Sequence, residues 1–470
     1  MEHIQFDTIP GGIRVPGQYL EFNTRTAVQG LPQNPQKVLL LAPMLASGTQ
    51  PPLTPVQLFS DVQAGDLFGR GSWAQLMVRQ AFYNNAYLDL TVIGLPDPAS
   101  AVAASGKVVL SGTASGSGQL EIVIGGTAYA VSVAAGDTAA ALAGKLKNVI
   151  TAADSCPVTA AAAQATLTLT AKNKGAIGNE ISLSASGSAP GLSITTAAMA
   201  SGAGSPDLTA ALAVVAGKHY HIVVSPFTDD TSARALGKHI EDVSNSIEQR
   251  GCIGVFGWRG TLATGTAFAA KLNSGRLTCA WYKGAQEANA LIAAGYAAVL
   301  AFEEDPARPL NTLEVKGLNI TPDGDWPLYV ACHNALYNGL TPLTVVNNRV
   351  QIMRAVSTYT RSAAGVEDPS LLDITTIRTL DYVRRAIKER IALRFARNKL
   401  FDRMVPKVKS EVLDVLTKLE DAEIIENVAE HKHKLLMVRA VNDTGRLNAA
   451  IPADVVNGLH VFAGRIDLIL

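Results

Sequence analysis

Five consecutive apolar residues, Val38–Ala42 (VLLLA), leave this chain few options. A strand with one face in water alternates apolar and polar residues, so an unbroken run implies cover on both faces. The flanking sequence supplies the cover. Ser72–Asn85 predicts a helix with Ser72 as N-cap and an apolar stripe flanked by Leu76, Gln80 and Tyr83. Leu88–Ile93 (LDLTVI) alternates as a second strand. The pattern returns far downstream: strand Tyr220–Ser225, helix Ser232–Arg250, strand Cys252–Phe256, helix Ala263–Asn273, strand Leu277–Trp281, helix Ala285–Phe302. Strands alternating with helices predict right-handed crossovers and a largely parallel sheet, so the fold class is α/β.

Between the two halves of that pattern the composition changes. From Pro96 to Ser205 the chain is rich in Ala, Gly, Ser and Thr and carries few charges. Short alternating runs recur at Lys107–Ser111, Gln119–Ile124, Ala128–Val133, Ala165–Ala171 and Glu180–Ala185. Gly125–Gly126 separates two of them, a strong hairpin signal. One helix, Thr138–Val149, interrupts them. The segment reads as a β-rich module inserted into the α/β chain, with the Gly/Ser stretches Ala99–Gly106 and Ser201–Ser205 as linkers. The first 37 residues, broken by Pro10, Pro16, Pro32 and Pro35, read as an extended arm with a short strand at Gln18–Thr24.

The last part differs again. Thr344–Thr360 includes a strand-like run. Thr375–Phe401 predicts a long amphipathic helix with Ile377, Leu380, Val383, Ile387, Ile391 and Phe395 on one side. Its other face is basic: Arg384, Arg385, Lys388, Arg390, Arg394 and Arg397. Pro406–Leu419 predicts a second helix with Val408, Val412, Val415 and Leu419 inward. Leu435–Val441 and the alternating end, Ile466, Leu468 and Leu470, read as strands. The boundaries drawn on these signals are an arm (1–37), an α/β core (38–95 and 206–343), an inserted β-rich outer domain (96–205) and a C-terminal α/β assembly domain (344–470).

Length and charge narrow the function. The 470 residues call for two to four domains. Charged residues are only 17%, and forty basic side chains offset forty acidic ones. No global field draws nucleic acid, and low, balanced charge favours association over repulsion. Met1–Asp7 has no apolar core for a signal peptide, and no apolar stretch reaches membrane-spanning length, so a soluble chain made in a cytoplasm is expected. Cys156, Cys252, Cys279 and Cys332 are scattered and read as buried small hydrophobes.

Catalytic patterns are missing or incomplete. Gly260–Gly265 has the glycine spacing of a phosphate loop, but Thr266 stands where the lysine must be. The pairs His219/His221 and His431/His433 have no third ligand suggested by a motif. Asp323 and Asp325 are better explained as turn residues than as calcium ligands. No GxSxG or HExxH occurs. Catalytic residues, metal ligands and cofactors are therefore all expected to be absent. The basic helix face is read as pairing with nearby acids such as Asp414, Glu420 and Glu430, or with a neighbouring subunit, in preference to nucleic acid.

Pro16-Gly17-Gln18-Tyr19-Leu20-Glu21 resembles the P-G-x-Y-x-E start of contractile phage tail sheath proteins. Trp281-Tyr282 through Phe302-Glu303, Pro309-Leu310-Asn311, and the NNRVQIMRAVSTYT run with its Arg-rich helix, second helix and final strand resemble the later parts of that family. The start FDTIPGGIRVPGQY is most similar to Mu-type sheaths. The resemblance implies a subunit that stacks with itself in hexameric rings around a tail tube, meets baseplate and tail terminator proteins, and contracts to drive the tube through a bacterial envelope. It implies a home in the virion tail after assembly in the host cytoplasm. Terminal arms would join neighbours' sheets, so Tyr19, Glu21, Ile466, Leu468 and Leu470 are candidate linking residues, with Arg384, Lys388 and Arg394 on the basic helix. The competing readings are an α/β enzyme with an inserted small β domain, and the sheath of a phage-tail-like bacteriocin.

Overall fold

A computed structural model describes residues 15–20 and 30–469. By internal contacts the chain divides into two compact units, one holding 34–382 with 455–470 and the other 383–454 with residues up to 33.

The larger unit is built on an eight-stranded sheet. It begins with β1 (Lys37–Pro43), β2 (Pro55–Leu58), helices α1 (Asp61–Phe68) and α2 (Trp73–Asn84), and β3 (Asp89–Leu95). All of β1 after Lys37 is buried, as the apolar run requires. Ser60 and Ser72 cap the two helices by accepting from the amides of Gln63 and Gln75. The inserted segment follows as β4 (Ser105–Gly112), β5 (Gly118–Ile124), β6 (Thr127–Val133), α3 (Ala139–Ala152), β7 (Val158–Ala163), β8 (Thr166–Ala171), β9 (Leu183–Gly187) and β10 (Leu192–Ala200). These strands form a four-stranded sheet, β10-β4-β8-β7, and a three-stranded one, β6-β5-β9. Gly125 and Gly126 turn between β5 and β6 with φ of 56° and 85°, a region open to glycine at no steric cost.

The chain then returns with α4 (Leu208–Val215), β11 (Ile222–Val224), α5 (Asp230–Ser244), β12 (Ile253–Trp258), α6 (Leu262–Leu272), β13 (Leu277–Trp281), α7 (Asn289–Phe302), α8 (Tyr329–Tyr337), β14 (Thr341–Val346) and β15 (Arg349–Ile352). The sheet order is β15-β14-β13-β12-β11-β1-β3-β2. Its central pairings are parallel, with Val38 opposite Ile222 and Val255 opposite Thr278; only the outermost pairs are antiparallel. Helix α7 (NALIAAGYAAVLAF) is buried almost all round, which its alanine-rich sequence allows. It lies so close to β12 that a Cβ on Gly257 would sit 2.2 Å from the Asn289 carbonyl oxygen.

Several expectations shift. Thr344–Thr360 is not one strand: β14 and β15 turn at Asn347–Asn348, both with positive φ, and the rest is irregular. Glu180 ends a 3₁₀ turn, Ala176–Glu180, so β9 starts only at Leu183. Gly260–Gly265 is a loop entering α6, where Thr261 is the N-cap. Asp323–Asp325 is a single 3₁₀ turn. All four cysteines are free and buried. Helix α9 (Ile374–Phe395) stops short of Phe401, and α10 (Met404–Asp421) follows. Strand β16 (Leu436–Arg439) pairs antiparallel with β17 (Leu447–Ala450). No strand forms at 456–469; Leu470 lies outside the described residues.

Candidate assembly site

In the smaller unit, α10 buries Val408, Val412, Val415 and Leu419, the stripe read from the sequence. The facing part of α9 is partly ionic. Arg390, only 6% exposed, donates to Glu411 Oε2 at 3.1 Å and Asp414 Oδ2 at 2.6 Å, and Lys418 also donates to Asp414. Burial lowers the pKa of Arg390, but the two carboxylates outweigh it and hold the guanidinium above its ordinary value. Burial raises Asp414, and Lys418 with Arg390 overcomes that, holding it below the usual carboxylate range. Arg394 Nε lies 3.7 Å from the same Glu411. Arg385 donates to the carbonyl of Gln33 in the N-terminal arm. Lys388 is exposed and Arg384 half-buried. Arg390 and Arg394 thus pair within the chain. Glu411, the acid they share, was not among those picked out in the sequence; its place two turns into a helix with an inward valine stripe was the available signal.

Beyond these helices stands the two-stranded hairpin β16–β17. Leu436 faces Ala450 and Val438 faces Asn448. Leu436 and Val438 are 58% and 60% exposed. The turn is closed by Ala440 N–H donating to the Arg446 carbonyl, and Arg439 is held by Asp402 at 2.8 Å. The first strand was legible in the sequence. The second was missed, although Asn442-Asp443-Thr444-Gly445 is a turn signature before it.

The C-terminal tail is anchored in the larger unit and then released. His460 sits at its root: its Nδ1 lies 2.9 Å from Asn311 Nδ2, and its Nε2 3.5 Å from Asp373 Oδ1. A neutral imidazole with its proton on Nε2 satisfies both contacts. Burial pulls the His460 pKa below the ordinary value, although Asp373 opposes this. Past that point the side chains face outward: Phe462 is 88% exposed, Ile466 fully and Leu468 83%. At the other end, Tyr19 is exposed and donates its hydroxyl to the Val15 carbonyl oxygen at 3.1 Å. Glu21 and most of Gln18–Thr24 lie outside the described residues.

The histidine pairs do other work. His221 Nδ1 accepts from the Lys37 amide, His219 Nε2 meets the Gly251 carbonyl, and His433 Nδ1 meets that of Glu430. Among the described residues no group of three His, Cys, Asp or Glu side chains could hold a metal ion, and no helix is long and apolar enough to cross a membrane.

A chain with a parallel sheet built from two separated halves, an inserted β module and an exposed C-terminal tail is paralleled among known proteins. The phage tail sheath protein central domain matches residues 201–358, and the phage tail sheath C-terminal domain matches residues 366–469. The Mu-like prophage FluMu tail sheath protein of Haemophilus influenzae is 35% identical over 487 aligned positions, which span 99% of this chain and all of that one. The chain belongs to the phage tail sheath family. It is a Mu-like structural subunit of a contractile tail, not an enzyme, and its place is the virion tail. Solved sheath tail proteins share its fold at low identity. That of Desulfitobacterium hafniense has a TM-score of 0.53 at 14% identity, covering 94% of this chain and 97% of its own. That of Listeria innocua has 0.52 at 13%, covering 92% and 94%. As a sheath subunit the chain assembles with itself and with other tail components.

Proposed function

We propose that this sheath subunit stacks in hexameric rings around a tail tube, and that its rings are linked by strands exchanged at the β16–β17 hairpin. The observation that carries the linking is a mismatch within one chain. A two-stranded hairpin with exposed Leu436 and Val438 is marginal alone and offers free backbone edges. The tail that follows alternates Ile466, Leu468 and Leu470 and has no strand partner of its own among the described residues. Adding a neighbour's tail to the hairpin satisfies both, because main-chain hydrogen bonds hold two chains together while their domains move. The N-terminal arm, with Tyr19 and Glu21, is the second exchanged segment.

Contraction is then a switch between two packings of the same subunits, started at a baseplate and driving the tube through the envelope without nucleotide hydrolysis. Tube, baseplate and terminator proteins are the partners, and assembly takes place in the host cytoplasm. The arm (1–37), core (38–95 and 206–343), outer module (96–205) and assembly domain (344–470) are the working parts. On the basic helix, exposed Lys388 is the residue best placed to reach a neighbour, with Arg384 beside it; Arg394 acts through Glu411.

The test is truncation. Deleting 465–470, or 1–25, should give chains with native circular dichroism that form no tubes in the electron microscope. Normal tubes from both truncated chains would sink the strand exchange and leave the family membership untouched.

A further inference from the structure

Helix α7 begins without a cap of its own. Its N-cap residue is Ala288, whose side chain accepts nothing, in the middle of a buried region where an orphaned amide is costly. The missing acceptor comes from the inserted module. Glu180 Oε2 accepts from the Asn289 amide at 2.8 Å, and Glu180 Oε1 from Asn289 Nδ2 at 3.2 Å. Glu180 keeps some exposed surface, but its carboxylate lies deep.

A second carboxyl shares the junction. Glu287 is 4% exposed; its Oε1 accepts from the Asn319 amide at 3.0 Å, while its Oε2 is buried with no hydrogen-bond partner. The hairpin turn of the module presses on it: a Cβ on Gly126 would sit 2.6 Å from Glu287 Oε1. Asn319 Nδ2 donates to the Gly126 carbonyl at 2.7 Å, and the Ser182 hydroxyl donates to that of Gln286 at 2.6 Å. Among the described residues, the cation acting on both carboxyls is Arg259, whose Nη1 is also buried and without a hydrogen-bond partner. With both carboxyls ionised and one guanidinium acting on them, the junction carries an excess of one negative charge.

We propose that the inserted module is latched to the core by a proton-sensitive clasp, in which Glu180 of the module is the cap of α7 and Glu287 with Arg259 completes the buried site. This does not depend on how subunits link. One bound proton neutralises the cluster. Burial pushes Glu180 up to about 6 against the pull of Asn289 and Arg259, and raises Glu287 as well. A carboxyl whose pKa is raised when docked binds a proton on docking. Docking is therefore weakest above pH 6, strengthens as pH falls through that value, and stops gaining below the ordinary carboxyl range. A cleft of about 290 Å³, lined by Tyr129, Ile181, Glu287, Leu291 and Asn319, lies along the same junction and gives water access to it.

Hydrogen exchange of the full chain, corrected for intrinsic rates, reads this directly at 289–293 and 183–187, with 277–281 of β13 as an internal control. One carboxyl moving from 4.5 to about 6 strengthens docking about eightfold between pH 7 and pH 5. The wild type should gain that protection at the junction but not in β13, and Glu180→Gln should cut the gain to the part that Glu287 supplies. If Glu180→Gln does not fold, Glu180→Asp carries the test: its carboxylate, one methylene shorter, loses the Asn289 contact and the gain must shrink. A junction whose protection is flat with pH in the wild type, or a gain that stays undiminished in either variant, overturns the clasp.

Discussion

β1 and β16 are both short apolar strands, and they have opposite fates. Leu39, Leu40 and Leu41 of β1 are inaccessible to solvent between β11 and β3, whereas Leu436 and Val438 of β16 face outward from a hairpin of two. The first strand completes its bonding inside one chain. The second is left with an open edge. Under the proposed strand exchange, the core folds alone so that subunits can accumulate, and the linking strands stay unsatisfied until a neighbour arrives.

That contrast can be broken or sharpened by mutation. The largest effect belongs to the core: Leu40→Ala should cost about 2–5 kcal/mol in a urea titration, because neighbours on both faces cannot collapse into the cavity. A value within experimental error of zero would mean that the sheet is not the folding core. Next is the ionic packing of the smaller unit. Arg390→Ala leaves Glu411 and Asp414 without their shared partner and should cost about 1.5–3 kcal/mol, as for hydrogen bonds to charged groups. Arg465→Ala, at an exposed pair with Asp467, should cost nothing measurable.

A smaller thermodynamic effect with a larger assembly effect is expected in the hairpin. Val438→Ser should stay within about 0.5 kcal/mol of the wild type, as surface substitutions do, yet reduce tube formation seen by microscopy. A stability loss as large as that of Leu40→Ala would erase the distinction between the two strands. A pH-dependent effect concerns the tail root. His460 has a depressed pKa in the folded chain, so its contacts hold above the ordinary imidazole value and are lost as pH falls below it. Proteolysis of the tail should accelerate modestly below pH 6.5, and His460→Gln should remove that dependence.

Much of this architecture was legible because local chemistry was unambiguous: VLLLA for a doubly covered strand, Ser72 before a helix, Gly125–Gly126 for a hairpin. Other elements were hidden for equally physical reasons. β7 runs through VTAAAA, whose alanines carry little strand preference, and pairing with β8 makes it a strand. α1 is eight residues long with Gly65 inside, and its start is held by Ser60 accepting from the Gln63 amide and Gln63 Oε1 accepting from the Phe59 amide, contacts no apolar stripe announces. α8, with Tyr329, Val330 and Tyr337 largely exposed, has no apolar face buried deeply enough to leave a helical stripe.

The sequence by itself determined the alternation of strands and helices, the place of the insert, the apolar stripe of α10 and the alternating C-terminal end, since each depends on neighbours a few residues away. Only the tertiary structure decided that Arg390 turns inward to Glu411 and Asp414 instead of joining a solvated basic face. It alone paired Glu180 with a helix start 109 residues further on. A charge in a sequence carries its sign but not its partner. Which opposite charge lies within hydrogen-bond reach, and how much water has been removed from between them, is fixed only when distant segments pack.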